Sequence, residues 1–394
     1  MTVTGPGAAP ARALTRADVR IVVGAQVAAS SAALGLPPYL PVILAGLGDP
    51  TARWAGVLYV LPTIATALSV PWWGRLADRY GCRLMLVRAQ LGLAVAFWLA
   101  GQADSTLVLA VALVLQGVLG GTFAATGAYL ATGLTGRDLA AALTLAQVGA
   151  RLALVGGPAT AGLLAGHVPP QRLYGYAALL PLVAALVTLL LPEPHGDRVR
   201  SRAQGAARPV VTLGVLCAAQ AAFVFATVAT YPYFLPVVAR VLPTATAAAT
   251  GLLFALPHIV VVVSSGMALR ILRDRPKTGL LAGLALVAIG AGAHPLAVGL
   301  GSAGVLIAGQ VVFGVGLTAG LVSLNLLAAA LAGSRPAGRL FGTVEAWVKT
   351  GAVCAGLAAS LAAVLGPAAP AAAGALVALV AAAILTGRLS CTAS

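Results

Sequence analysis

One acidic side chain in this sequence lies inside an apolar run. Of nine Asp and Glu residues in the 394, Glu345 alone falls within a hydrophobic stretch, and Lys349 follows it at a spacing of four. In a helix that spacing puts both on one face. A carboxylate beside an ammonium can bind and release a proton as their separation changes, because burial favours the neutral acid and a nearby cation favours the charged one. The pair therefore suits proton coupling, and it equally suits an internal ion pair that ties helices together. The chain has two lysines, Lys277 and Lys349, against 22 arginines, so within an apolar run it uses the basic side chain that loses its proton most readily when buried. Arg151 is a third charge in such a run, and no acid sits one turn away from it. A fixed guanidinium there suits binding of an anionic group, and the structural alternative is a partner such as Gln147 or a backbone carbonyl. Further polar candidates for substrate binding are Gln26, Gln116, Gln220, Tyr231, Tyr233, Gln310 and Asn325, each also suited to a helix–helix hydrogen bond.

The elements that carry these residues follow from composition. The chain is 60% hydrophobic and 8% charged, with a mean hydropathy of +1.00, against about 25% charged residues in an ordinary soluble domain. Lipid is the solvent implied. Placing a charge at the centre of a spanning helix costs roughly 2.5 to 3.5 kcal/mol, so Glu345, Lys349 and Arg151 are functional candidates by default. Apolar runs bounded by charge predict twelve spans of about 20 residues or more. They lie near Ile21–Leu47, Ala52–Trp73, Leu84–Gly101, Ser105–Leu130, Leu139–Gly166, Leu173–Leu191, Val210–Val238, Ala245–Ala268, Gly279–Val298, Ser302–Leu331, Leu340–Leu365 and Ala368–Leu385. The domain reading is an N-terminal tail over 1–20, a six-helix bundle over 21–191, a linker over 192–209, a second six-helix bundle over 210–387 and a tail over 388–394.

With both termini in the cytoplasm, 19 of the 24 basic residues fall in inside segments, among them Arg75, Arg79, Arg83 and Arg88, and only Arg53, Arg172 and Arg240 fall outside. That asymmetry is the positive-inside pattern of a multi-pass protein of the cytoplasmic membrane. A net charge of +15 would suit nucleic acid if the basic residues gathered on one soluble face. They are dealt out between apolar runs instead, so no nucleic-acid partner is expected. The first twenty residues lack the apolar run of a cleavable signal. Cys82, Cys217, Cys354 and Cys391 have neither metal-ligand spacing nor a disulfide pattern, and no P-loop is present, so no cofactor is expected. His167, His195, His258 and His294 are dispersed along the chain, which argues against a polytopic membrane enzyme.

The halves repeat. Asp78 in "LADRY" and Asp274 in "LRDRP" are separated by 196 residues, Gln116 and Gln310 by 194, and Gly157 and Gly162 return 194 residues on as Gly351 and Gly356. In that register Arg151 falls on the position of Glu345. Two pseudo-symmetric six-helix bundles with a site between them is an architecture of secondary transporters.

The run Gly74-Arg-Leu-Ala-Asp78-Arg79-Tyr-Gly81-Cys-Arg83 resembles the signature between the second and third helices of the major facilitator superfamily, and the twelve-span pattern extends the resemblance over nearly the whole chain. Cys82 departs from it, standing where the family usually has a basic residue and leaving Arg83 to carry that contact. The resemblance implies that Asp78 reaches the eleventh span of the other half and releases it when an inner gate opens. In the fifth span, Ala153, Gly157, Pro158, Ala161 and Gly162 resemble a small-residue pattern associated with exporters of that superfamily, and generic small-residue packing is the alternative. The arginine that many relatives carry in the fourth span is Leu113 here. The resemblance implies a proton-coupled exporter acting by alternating access on a small organic compound, drug-like or acidic, such as a carboxylate siderophore. Protons and the lipid bilayer are the other expected partners, and a monomer is the expected state. The intramembrane charges sum to +1, which favours a neutral or carboxylate-bearing substrate over a lipophilic cation. An importer of a small nutrient is the other transport reading.

Overall fold

The computed structural model describes residues 14–50, 53–165, 167–193 and 211–390. Most of the expected linker and of both tails therefore lies outside the described residues, as does Cys391, and nothing is described of the Pro158 side chain or of what surrounds Gly162. Among the described residues there are sixteen α-helices, two short 3-10 turns and no strand. The helices are α1 (Arg16–Gly35), α2 (Leu40–Gly46), α3 (Ala55–Tyr80), α4 (Cys82–Gly101), α5 (Thr106–Leu119), α6 (Thr122–Gly133), α7 (Gly136–Ala165), α8 (Pro170–Ala177) and α9 (Leu179–Leu189). After the linker come α10 (Leu213–Val228), α11 (Phe234–Val241), α12 (Ala247–Leu272), α13 (Pro276–Leu300), α14 (Ala303–Ala332), α15 (Ala337–Ala362) and α16 (Ala369–Ser390). Ten helical stretches among the described residues are long and apolar enough to cross a membrane.

Local chemistry sets where these helices begin. Thr15 and Asp18 form a reciprocal capping box, with the Asp18 N–H donating to Thr15 Oγ1 at 3.2 Å and the Thr15 N–H to Asp18 Oδ2 at 2.8 Å. α1 accordingly starts at Arg16, ahead of the expected boundary at residue 21. Ser105, Thr212, Thr246 and Ser302 cap α5, α10, α12 and α14 through their hydroxyl oxygens.

Breaks inside apolar runs need more, because hydrocarbon offers no water to a freed backbone group. One such break lies between α5 and α6, where Gly121 adopts φ +84°. The break takes the carbonyls of residues 117 to 120 out of the helical ladder, and side chains occupy all four. Thr66 and Ser69 donate to Gly117 O at 3.1 and 3.3 Å, and Trp73 Nε1 donates to Val118 O at 2.6 Å. Arg88 Nη1 and Nη2 donate to Leu119 O at 2.5 Å and Gly120 O at 3.4 Å. The Arg88 guanidinium also lies 3.5 Å from the Trp73 ring centroid. Arg88 is thus no residue of an arginine-rich loop: it sits two turns into α4, where it satisfies a broken helix, and it corrects the count of charges within apolar runs.

α12 carries a parallel device. Pro257 has no N–H for the carbonyl of Leu253 four residues earlier, and Gln310 Nε2 from α14 supplies that donor at 3.0 Å.

Helix packing divides the molecule along its length. α3 and α6 pack on α15, and α7 packs on α12 and α14, so first-half and second-half helices meet directly. One core cluster draws residues from both halves, including Ala77, Leu86, Leu139, Leu284, Leu326 and Leu340, near the end that carries the α3–α4 turn. Toward the opposite end there are two separate clusters. One holds Leu36, Ile43, Phe97 and Leu109 from the first half alone, and the other holds Phe234, Val237, Val241 and Leu306 from the second half alone. Large apolar side chains such as Leu68, Leu190 and Val263 stand exposed at 78%, 87% and 74%, the surface of a protein solvated by lipid.

Candidate functional site

Three groupings of polar side chains lie where the halves meet. The first is the α3–α4 turn. Asp78 Oδ1 accepts from the Gly338 N–H at 2.7 Å and Oδ2 from the Arg339 N–H at 2.9 Å, so the carboxylate caps the N-terminus of α15 and faces its positive dipole end. Arg339 Nε stands 3.8 Å from the same oxygen. Backbone contact makes this possible: a Cβ on Gly74 would collide with the Gly338 carbonyl, and one on Gly338 with that of Gly74. Gly81 ends α3 at φ +99°, with its N–H on Ala77 O at 3.0 Å. Arg79 lies over the Tyr80 ring, 5.3 Å from its centroid. Arg83 stays within the first half, pairing with Glu193 at 3.2 Å and donating to Leu191 O at 2.8 Å. Cys82 is buried against Thr132, 3.3 Å from its hydroxyl. Asp274, the repeat counterpart of Asp78, pairs across the halves with Arg137 at 3.3 Å, but both side chains are more than 60% exposed. Such a pair contributes little, so Asp78 is the stronger fastening.

The second grouping is on α15. Glu345 and Lys349 pair at 3.3 Å with side-chain exposures of 14% and 29%, and the Lys349 ammonium lies 6.0 Å from the Phe123 ring of α6 in the other half.

The third surrounds Arg151, midway along α7. Its guanidinium faces the Tyr231 hydroxyl and the His258 ring, both from the second half. Tyr231 lies in the turn between α10 and α11, its ring edge-on to Phe254 at 5.7 Å and to His258 at 5.5 Å. His258 is fully buried, and neither ring nitrogen has a hydrogen-bond partner. His294 belongs to the same neighbourhood, 5.5 Å from Phe234, with Nε2 3.2 Å from Gln310 Oε1. Two of the histidines that are dispersed along the sequence are therefore gathered in space. Sequence reasoning missed His258; its place one residue after Pro257 is the only signal it offers.

The remaining candidates separate. Gln310 is committed to Leu253 O and His294, and Asn325 Nδ2 donates to Thr144 Oγ1 at 3.3 Å across the α14–α7 interface, so both act as helix-to-helix ties. Gln26 and Gln116 are in the first half, each with a buried, unpartnered Oε1. Gly157 makes a close crossing of α7 with α1, since a Cβ there would lie 2.7 Å from Gly35 Cα. Its repeat counterpart Gly351 likewise abuts Ala221 of α10.

Residues 22–355 match the Major Facilitator Superfamily profile, which covers most of the chain. The chain belongs to the Major Facilitator Superfamily. It is therefore a multi-pass membrane transporter and not an enzyme. Among curated proteins it is similar to multidrug resistance protein MdtG of Salmonella paratyphi C, 33% identical over 156 residues that make up 38% of each chain. It is also similar to MdtG of Klebsiella pneumoniae, 29% identical over 177 residues, 44% of this chain and 43% of that protein. The chain thus spans about two fifths of the length of these relatives. Among solved structures, the human organic anion transporter MFSD10 (TETRAN) superposes with a TM-score of 0.78 over 94% of this chain and 99% of that one, at 17% identity. At that identity the likeness is one of fold.

Proposed function

We propose that this superfamily member is a proton-coupled exporter of a small organic compound in the cytoplasmic membrane, working by alternating access between two six-helix bundles. In this reading the kinked segments α1–α2 and α10–α11 complete a set of twelve spans, both termini are cytoplasmic and the protein acts as a monomer. The observation that carries it is the division of the core. One cluster joins the halves at the arginine-rich end, and two separate clusters lie toward the other. That is the packing expected of a transporter closed to the cytoplasm and parted on the outer side. Asp78 on the α15 N-terminus is then the inner gate, supported by Gly74, Gly81, Arg79 and Arg83. Glu345, with Lys349, is the proton site. Arg151 and Tyr231 contact substrate, Gln26 and Gln116 line the path, and the small-residue run of α7 around Gly157 supports the α1 crossing. The partial likeness to the MdtG proteins favours export, and a drug-like or acidic compound is the substrate class. Import of a nutrient is the competing direction.

Inside-out membrane vesicles energised by respiration separate the two directions, with radiolabelled benzenesulfonate and ethidium as anionic and cationic probes. Export predicts protonophore-sensitive accumulation of a probe in inside-out vesicles. Accumulation only in right-side-out vesicles would reverse the assignment.

A further inference from the structure

We propose that Arg151, Tyr231 and His258 form one anion-binding site, continuous with an aromatic pocket, that takes a carboxylate carried on an aryl ring. The proposal rests on the transport reading above and names the substrate class of that site. Its starting point is His258, which is fully buried with Nδ1 and Nε2 both unpartnered, although its ring is fixed between Tyr231 at 5.5 Å and Phe254 at 5.8 Å. A buried polar atom left without a partner costs on the order of 1 to 3 kcal/mol, a cost that Phe or Leu at this position would avoid. His294, in the same bundle and equally enclosed, has Gln310 to receive it. The second observation is Arg151, whose Nε is buried without a partner and which forms no ion pair with an acid among the described residues. Glu345, the acid expected at matching depth, is engaged with Lys349. A guanidinium, an imidazole and a phenol hydroxyl thus converge from α7, α12 and the α10–α11 turn with hydrogen-bonding capacity to spare. A carboxylate, with two oxygens and about four lone-pair sites, can use all three.

The ring follows from what adjoins these groups. Thr230, Tyr231, Phe234, Phe254, Pro257 and Phe313 line a narrow cavity with room for about one water. Its polar neighbour Gln310 is already committed to Leu253 O and His294, so the cavity offers aromatic walls and little hydrogen bonding. An aryl ring enters it only as these side chains move apart, a movement that alternating access supplies. Tyr231 belongs to both parts. Its hydroxyl faces Arg151 and its ring walls the cavity, so the charged and aromatic ends of a ligand would meet at this one residue.

The test is equilibrium binding to the purified full chain in nanodiscs, with radiolabelled benzoate as probe and benzamide, benzylamine and acetate as competitors. The expected order is benzoate ahead of benzamide, benzylamine and acetate by about tenfold or more, which is 1.4 kcal/mol. Arg151→Gln and His258→Phe, the latter keeping the aromatic packing, are expected to weaken benzoate by a similar factor, and Phe254→Leu to narrow the margin over acetate. Competition of benzamide or benzylamine equal to benzoate in the unaltered protein would overturn the proposal without reference to any variant, as would unchanged benzoate affinity in a folded His258→Phe protein. Benzoate binding without gradient-driven transport of the sulfonate would count against the transport reading alone. Gradient-driven transport of ethidium with no benzoate binding would count against the anion site alone.

Discussion

Replacing Asp78 by Asn keeps the side-chain shape and removes its charge and one of its two acceptors. Asp78 accepts from the Gly338 and Arg339 N–H groups at 2.7 and 2.9 Å, at the positive end of α15. The amide oxygen of Asn can retain one of these bonds as a neutral one, and its NH₂ then faces the other N–H. Bonds to a charged group contribute about 1.5 to 3 kcal/mol each against about 1 for a neutral pair. The Arg339 side chain, 3.8 Å away and 67% exposed, adds little. Allowing for water reaching the freed N–H, the closed state should lose about 2 to 3 kcal/mol relative to the open one, a population shift of about 30- to 150-fold. Spin labels at Arg75 and Arg335, in a background with the native cysteines replaced by serine, report the separation of the α3 and α15 ends by double electron–electron resonance. The expected result is a second, longer distance that gains weight in Asp78→Asn, with transport slowed and the amount of inserted protein unchanged. An unaltered distance distribution with normal turnover would refute the gate.

Two further predictions concern the backbone breaks. Arg88→Leu leaves the Leu119 and Gly120 carbonyls without donors and should destabilise the protein by about 2 to 4 kcal/mol, read as a lowered apparent melting temperature in detergent, with Arg88→Lys falling between. Gln310→Leu should likewise lower that temperature by stranding the Leu253 carbonyl; adding Pro257→Ala, which restores an N–H for the same carbonyl, should recover part of the loss, and a double variant less stable than Gln310→Leu alone would dismiss that account.

Much of the molecule could be read from its residues because hydrocarbon leaves few solutions. Long apolar runs must be helices, and basic residues must gather where the chain leaves the lipid on one side. Asp78 stood out because a topology signal needs arginines and has no use for an acid. The structure sets that acid, at the end of α3, against the N-terminus of α15 in the other half. Arg88 was misplaced because an arginine four residues into a span looks like the tail of a basic loop; only the geometry of the Gly120–Gly121 break, which depends on φ at one glycine, gives it carbonyls to serve. His258 offers no signal beyond its place after Pro257: its neighbours Tyr231 and Arg151 are distant in sequence and meet it only once α7 and α12 are packed. Gln310 and Asn325 looked like cavity residues for the same reason, since a polar side chain in an apolar helix serves a ligand or a neighbouring helix, and sequence does not say which face is turned where.

The central claim is that protons drive this transporter through Glu345, which pairs, partly buried, with Lys349 at 3.3 Å. Glu345→Gln keeps the side chain's shape and removes its titration, so it separates movement of substrate from movement of protons. The measurement is benzenesulfonate flux in proteoliposomes, taken once under an imposed pH gradient and once as exchange of labelled for unlabelled probe at equal pH. The account predicts that Glu345→Gln loses gradient-driven accumulation and retains exchange; undiminished gradient-driven accumulation in the variant would contradict it and leave the pair as a structural tie within α15.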